Sequence, residues 1–144
     1  MFDVEIKGHM FRFEATQRLF CPTQIDKGTL AMLSAIDFTQ ETKVLDLGCG
    51  YGVVGIVAAK FIDQAQVYLI DIDDEAVEMS KINAELNDVR NLQILRSNSF
   101  TGISESDFSL ILCNPPYQTD FKVAKSFIEK GFNRLSNLRR RTYT

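Results

Sequence analysis

One histidine, three cysteines and three prolines in 144 residues leave several chemistries without material. With His9 standing alone in an expected turn, a histidine-based triad or a metal cluster has little to build on, and the residue reads as a solvated turn position. Cys21, Cys49 and Cys113 are odd in number, far apart and without C-x-x-C spacing. That pattern argues against a disulfide framework or a zinc site, and for reduced, buried thiols. Long hydrophobic runs are missing as well, since no stretch approaches the roughly 20 apolar residues that cross a bilayer. The N-terminal MFDVEIKGHMFRFEA mixes charge into every few positions, unlike a secretory signal. Repeats and low-complexity segments are lacking too. The expectation is a cytoplasmic protein without a membrane partner or a bound metal.

What is present is an ordinary globular composition, 45% hydrophobic and 24% charged, in a length suited to one domain with a sizeable core. The net charge of −3 conceals an asymmetry. Residues 121–144 carry seven Lys/Arg against Glu129, whereas the acids are concentrated in the preceding chain. Such a basic end suits contact with phosphate or a plain solvated tail, and the overall acidity argues against strong stand-alone nucleic-acid binding.

The patterning predicts a hairpin over residues 1–15, with VEIK and MFRFEA as strands around GH. A helix follows Pro22, capped by Thr23 or Asp26, with Leu30, Leu33 and Ile36 at helical spacing. From residue 42 strands and helices alternate: KVLDL, a glycine loop, VVGIVAAKFI as helix, QVYLID, the amphipathic DDEAVEMSKINAELN, LQILRS and FSLILCN. A last helix is predicted from Asp120 to Leu135, and a basic tail covers 136–144. Alternation of this kind specifies an α/β fold, a doubly wound Rossmann-like parallel sheet with helices on both faces, here a single domain with its α/β core at 42–135. Ligands in such sheets bind beyond the carboxyl ends of the strands, where Asp46 to Gly52, Asp71, Asn98 and Asn114 to Tyr117 all fall.

The loop DLGCGYGVVG offers two readings. Gly50, Gly52 and Gly55 fit G-x-G-x-x-G, which cradles a pyrophosphate. Asp46, however, opposes a pyrophosphate and suits a cation, such as the sulfonium and α-ammonium of S-adenosylmethionine (AdoMet). Gly48, Gly50 and Gly52 let the backbone approach that ligand closely. Asp71, 19 residues after Gly52, is placed to accept hydrogen bonds from ribose hydroxyls, a feature common to both cofactors. Ile72 suits the adenine face and Asn98 the adenine edge; an ordinary core isoleucine and a turn-capping asparagine are the alternatives.

Asn114-Pro115-Pro116-Tyr117 ends the fourth strand of this core. Two prolines remove two N–H donors and leave carbonyls to accept hydrogen bonds, Asn114 adds a side-chain carbonyl, and Tyr117 can stack on a planar substrate. This set suits methylation of an amine on a conjugated ring, whose lone pair must be localised and aimed. A rigid loop that merely ends a strand is the bland alternative. Cys113 continues the apolar run SLILC and reads as a structural thiol rather than a nucleophile.

DLGCGYG, LIDID and NPPY together resemble a class I AdoMet-dependent methyltransferase, and RLFCPTQIDKGT before the first core strand extends the resemblance to the small-domain methyltransferases. That group includes guanine-N2 methyltransferases of small-subunit ribosomal RNA, and the resemblance runs from about Phe11 to Leu135. It implies that Asp46, Gly48, Gly50, Gly52 and Asp71 contact the cofactor and that Asn114 to Tyr117 receive the target amine. Ribosomal RNA or a ribosomal subunit is the implied partner. The chain departs from the family at Asn98, where an acid is usual, and beyond Leu135, where a further strand, helix and closing strand pair are usual and SNLRRRTYT stands instead. A sheet lacking its last strands is therefore expected, with FSLILCN as an apolar edge open to a second copy of the chain. Protein glutamine N-methylation and a non-catalytic AdoMet-binding module stand as the alternative functions. DNA adenine methylation and NAD-dependent redox chemistry rank below them.

Overall fold

The computed structural model describes residues 1–16, 25, 27–97 and 108–113 and the backbone of 142–143. Strands β1 (Phe2–Ile6) and β2 (His9–Phe13) pair antiparallel with Ile6 opposite His9. The connecting residues Lys7 and Gly8 have φ of 52° and 82°, the two left-handed positions of a tight hairpin turn. His9 is thus the first residue of a strand, exposed and edge-on to Phe61 at 5.2 Å, rather than part of the turn. The turn sits one residue early because Lys7 is anchored: its ammonium donates to the Leu33 carbonyl at 3.1 Å and the Ile36 carbonyl at 2.7 Å. Those carbonyls lie at and just past the end of helix α1 (Lys27–Ala35), where a cation offsets the negative end of the dipole. Along β2 the side chains alternate, with Phe11 and Phe13 buried and Met10 and Arg12 exposed.

The main sheet is wholly parallel. It comprises β3 (Val44–Leu47), β4 (Val67–Asp71), β5 (Gln93–Arg96), β6 (Leu110–Cys113) and the two-residue β7 (Thr142–Tyr143), in the order β5-β4-β3-β6-β7. Helix α2 (Val53–Ala58) connects β3 to β4, and α3 (Asp74–Leu86) connects β4 to β5. The chain therefore winds one way from β3 to β5 and returns to β6 on the other side of β3. The gap between β3 and β6 is the switch point at which open α/β sheets bind ligands.

Two-residue periodicity divides the strands between two buried faces. Val44, Val67, Leu69, Leu110 and Leu112 join a core with α2, Phe11, Phe13, Leu33 and Phe38. Leu45, Leu47, Ile70, Ile111 and Cys113 join Phe108 in a second cluster on the opposite face. Burial on both sides explains why these strands read as continuous apolar runs. The edge expected to be bare is partly covered, since Ile111 pairs with Thr142 and Leu112 with Tyr143. The sequence around Thr142 and Tyr143 carries no apolar alternation, so the pairing of these two residues rests on backbone hydrogen bonds that a side-chain pattern does not reveal.

Helix α2 is shorter than the predicted VVGIVAAKFI. After Ala58 the amides of Lys60 and Phe61 bond three residues back, to Val57 and Ala58, tightening the chain out of the helix. The predicted last helix lies outside the described residues. No described helix is long and apolar enough to cross a membrane.

Candidate functional site: a glycine loop between two carboxylates

The loop leaving β3 turns sharply because Gly48, Gly50 and Gly52 take φ of 74°, 57° and 96°, values that a side chain resists. The amides of Gly48 and Cys49 both donate to the Ile70 carbonyl at 2.9 Å, which ties the loop to the neighbouring strand end. Asp71 closes the arrangement. Its Oδ2 accepts the Gly50 N–H and its Oδ1 the Asp73 N–H, each at 2.9 Å. The carboxylate is thereby held at the carboxyl end of β4, against the glycine loop. Burial raises its pKa, opposed by those backbone N–H groups.

Asp46 lies within β3, on the face packed by α2, and is 2% exposed. Its Oδ2 accepts the Gly55 N–H at 3.0 Å. Burial pushes the carboxyl up to about 7; the Gly55 N–H lowers it, and the charge of Asp71 raises it further. Among the described residues no lysine or arginine forms an ion pair with either acid. The site thus offers two acidic side chains, while the described loop N–H groups are taken up internally, a set that welcomes positive charge and hydroxyl donors and disfavours pyrophosphate. A Cβ placed on Gly50 would meet nothing within 4 Å, so the loop borders open space there. Ile72 follows Asp71 and is 54% exposed, an apolar side chain at the rim and no member of the core.

The structure thus brings together Asp46, Gly48, Gly50, Gly52, Asp71 and Ile72. Asn98 and Asn114, Pro115, Pro116 and Tyr117 lie outside the described residues. Their neighbours are described. Ser97 donates its N–H to the Asp71 carbonyl at 2.9 Å, and Cys113 pairs with Leu47, the residue before Gly48. The chain therefore leaves β6 level with the start of the glycine loop. Cys113 is buried, and burial, with the Asp46 charge, pushes its thiol up to about 12, which leaves it a poor nucleophile.

Two features of this site were not read from the sequence as functional. Gly55, which the sequence presents only as the last glycine of G-x-G-x-x-G, lets α2 press onto the sheet: a Cβ there would lie 2.5 Å from Leu69 Cγ. Helix α3 also presents Ser80 and Asn83 inward, as does Asn87 at its C-cap, all three buried. Ser80 Oγ donates to the Gly50 carbonyl at 2.9 Å and Asn83 Nδ2 to the Tyr51 carbonyl at 2.7 Å. The available signal was their spacing of three and four residues on the same stripe as Ala76, Val77 and Ala84, which marks buried polar groups on a core-facing side.

Comparison with known proteins agrees with this geometry. A family model described as "Methyltransferase small domain" matches residues 10–138. The protein YbxB of Bacillus subtilis is 32% identical over 132 residues, covering 90% of this chain and 66% of its own length. Ribosomal RNA small subunit methyltransferase C of Hamiltonella defensa is 35% identical over 112 residues, covering 78% of this chain and 33% of its own. Among solved structures, a Thermus thermophilus 16S rRNA N2 methyltransferase in complex with AdoMet and guanosine superposes with a TM-score of 0.82 at 25% identity. That match covers 92% of this chain and 38% of the other. The chain thus spans about a third of the length of the ribosomal RNA methyltransferases it matches. A β3 acid leading into a left-handed glycine loop, a second acid at the end of β4 and a family match over most of the length place this chain in the methyltransferase small domain family.

Proposed function

We propose that the protein is an AdoMet-dependent N-methyltransferase acting on an exocyclic amine of a nucleobase, with guanine N2 in ribosomal RNA as the target. The observation that carries this reading is the glycine loop framed by Asp46 and Asp71 with no basic partner among the described residues, in a chain that superposes over 92% of its length on a methyltransferase holding AdoMet and guanosine. The donor set and the open space at Gly50 fit a cofactor that combines a cationic end with a ribose. When bound, that cofactor supplies a methyl group already activated by its sulfonium.

The chain's own residues then have separable tasks. Asp46 neutralises the cationic end, directly or through water. Asp71, oriented by Gly50 and Asp73, accepts hydrogen bonds from ribose hydroxyls. Ile72 covers the adenine face, and Asn98 meets its edge. Gly48, Gly50 and Gly52 admit the ligand against bare backbone. Asn114 and the carbonyls before and within the proline pair accept the N–H bonds of the target amine, which localises its lone pair toward the methyl group, while Tyr117 stacks on the base. Positioning and electrostatics carry the rate enhancement, with no general base needed before the proton leaves. Two facts support placing the target beside the cofactor. The NPPY motif begins one residue after Cys113, and Cys113 pairs with the residue that opens the glycine loop. We assign residues 1–144 to one domain and the protein to the cytoplasm, with ribosomal RNA or an assembling subunit as its partner.

The test is transfer of labelled methyl from AdoMet to ribosomal RNA from cells lacking the protein, with the label mapped to its nucleotide. Label on a guanine N2 that disappears with Asn114→Ala supports the reading. Label that persists in that variant refutes the NPPY mechanism. Binding of AdoMet without transfer to RNA, but with transfer to a release-factor glutamine, would shift the target to protein.

A further inference from the structure

We propose that Asn83 is a positioning residue for the glycine loop, joining the N-terminal hairpin to the Tyr51 carbonyl through one buried amide. The proposal rests on the cofactor reading given above. Asn83 is fully buried and makes three of the four hydrogen bonds open to its amide, both donors included. Its Oδ1 accepts the Glu14 N–H at 2.7 Å, and its Nδ2 donates to the Glu14 carbonyl at 2.8 Å and the Tyr51 carbonyl at 2.7 Å. Asn87 repeats the motif one turn later. Its Oδ1 accepts the Arg12 N–H at 2.9 Å, and its Nδ2 donates to the Arg12 carbonyl at 2.8 Å and the Asn83 carbonyl at 2.7 Å.

The match is geometric. Four helical residues rise about 6 Å, and two strand residues span about 6.7 Å, so amides spaced i, i+4 on α3 meet alternate residues along the free edge of the hairpin. The two asparagines act as a substitute strand for Arg12 and Glu14. They differ in where the remaining amide hydrogen goes. That of Asn87 stays within α3, whereas that of Asn83 leaves for the glycine loop.

The loop is gripped from the same side by Ser80, so the consecutive carbonyls of Gly50 and Tyr51 both turn toward α3. Two carbonyl dipoles are thereby kept off the open side of Gly50, where Asp71 holds the Gly50 N–H. The Tyr51 ring is also held by the hairpin, edge-on to Phe2 at 6.5 Å and Phe13 at 6.1 Å. The hairpin is therefore a buttress of the cofactor loop, and Asn83 is the polar link between them.

The asparagine pair supplies its own control. In the full chain, Asn83→Ala and Asn87→Ala each strip a hydrogen-bonded clamp from the hairpin, so both lower the thermal midpoint. Affinity for AdoMet and for S-adenosylhomocysteine is then measured by calorimetry well below both midpoints. Asn83→Ala is expected to weaken both ligands about tenfold while Asn87→Ala stays within about twofold, a coupling of ordinary size for linked sites. In turnover the loss falls on the cofactor KM and not on kcat. Equal weakening in the two variants, or wild-type affinity in Asn83→Ala, overturns the proposal. Should Asn83→Ala not fold, hydrogen exchange on the wild type decides. S-adenosylhomocysteine must slow exchange of the Glu14 amide more than that of Arg12, because coupling is reciprocal. Equal effects at both amides overturn the link. Failure of the wild type to bind either ligand overturns the cofactor reading itself, and the two failures are thereby separate.

Discussion

Replacing Asp46 by asparagine tests the electrostatics of the site most directly. The wild-type carboxyl is 2% exposed, accepts a single described N–H from Gly55, and is pushed up to about 7 from an ordinary 3.8. At 1.36 kcal/mol per pH unit, that gap corresponds to about 4 kcal/mol favouring the neutral acid in the folded protein. The sign follows from proton counts. Between pH 3.8 and about 7 the folded state binds the proton and the unfolded state does not, so this contribution to stability is complete below the unfolded value. It is lost as pH rises through the folded one. Roughly 2–3 kcal/mol of the loss falls between pH 5 and pH 8.

Asparagine preserves the shape and an acceptor for Gly55 but does not titrate. The stability of Asp46→Asn relative to wild type, without ligand, should therefore improve by about 2–3 kcal/mol from pH 5 to pH 8. Urea denaturation at both pH values reads this directly, and the comparison cancels the titration of the exposed acids. The same variant should bind AdoMet more weakly at pH 8, because the charge that destabilised the empty fold is the one a cationic ligand uses. A relative stability that changes by less than about 1 kcal/mol over this range would mean that Asp46 is already ionised in the fold, and the argument from burial would fail.

Other outcomes follow from the loop and the core. Gly55→Ala drives a methyl into Leu69 and should cost about 1–3 kcal/mol of stability by overpacking, read as a lower urea midpoint at unchanged slope. Gly50→Ala meets no neighbour, so beyond a left-handed backbone strain of about 1–2 kcal/mol its damage should appear in cofactor affinity. Asp71→Ala frees the Gly50 and Asp73 N–H groups and removes the proposed ribose acceptor, and calorimetry should show AdoMet affinity falling by about 1.5–3 kcal/mol. Phe13→Ala removes a fully buried ring packed on Phe11 and Tyr51 and should cost about 3–5 kcal/mol in thermal or urea unfolding.

The alternation of strand and helix, the parallel sheet and the position of the glycine loop were legible in the chain itself. Each rests on local periodicity: strands buried on both faces read as apolar runs, and α3 opens on Asp74 and Glu75 with Asp73 as its cap. The pairing of Asp46 with a glycine turn, and of Asp71 with the next strand end, is likewise a matter of spacing. Tertiary structure decided what spacing does not encode. The hairpin turn moved to Lys7–Gly8 because Lys7 finds carbonyls 26 and 29 residues away. Thr142 and Tyr143 found β6 through backbone bonds, which leave no mark on side-chain pattern. The close packing at Gly55 follows from its distance to Leu69 across the helix–sheet contact. Ser80, Asn83 and Asn87 look in sequence like polar residues on an amphipathic helix. Only the packing of α3 against the hairpin and the glycine loop buries them and gives each a partner, because a hydrogen bond between distant segments exists only once the fold has brought them together.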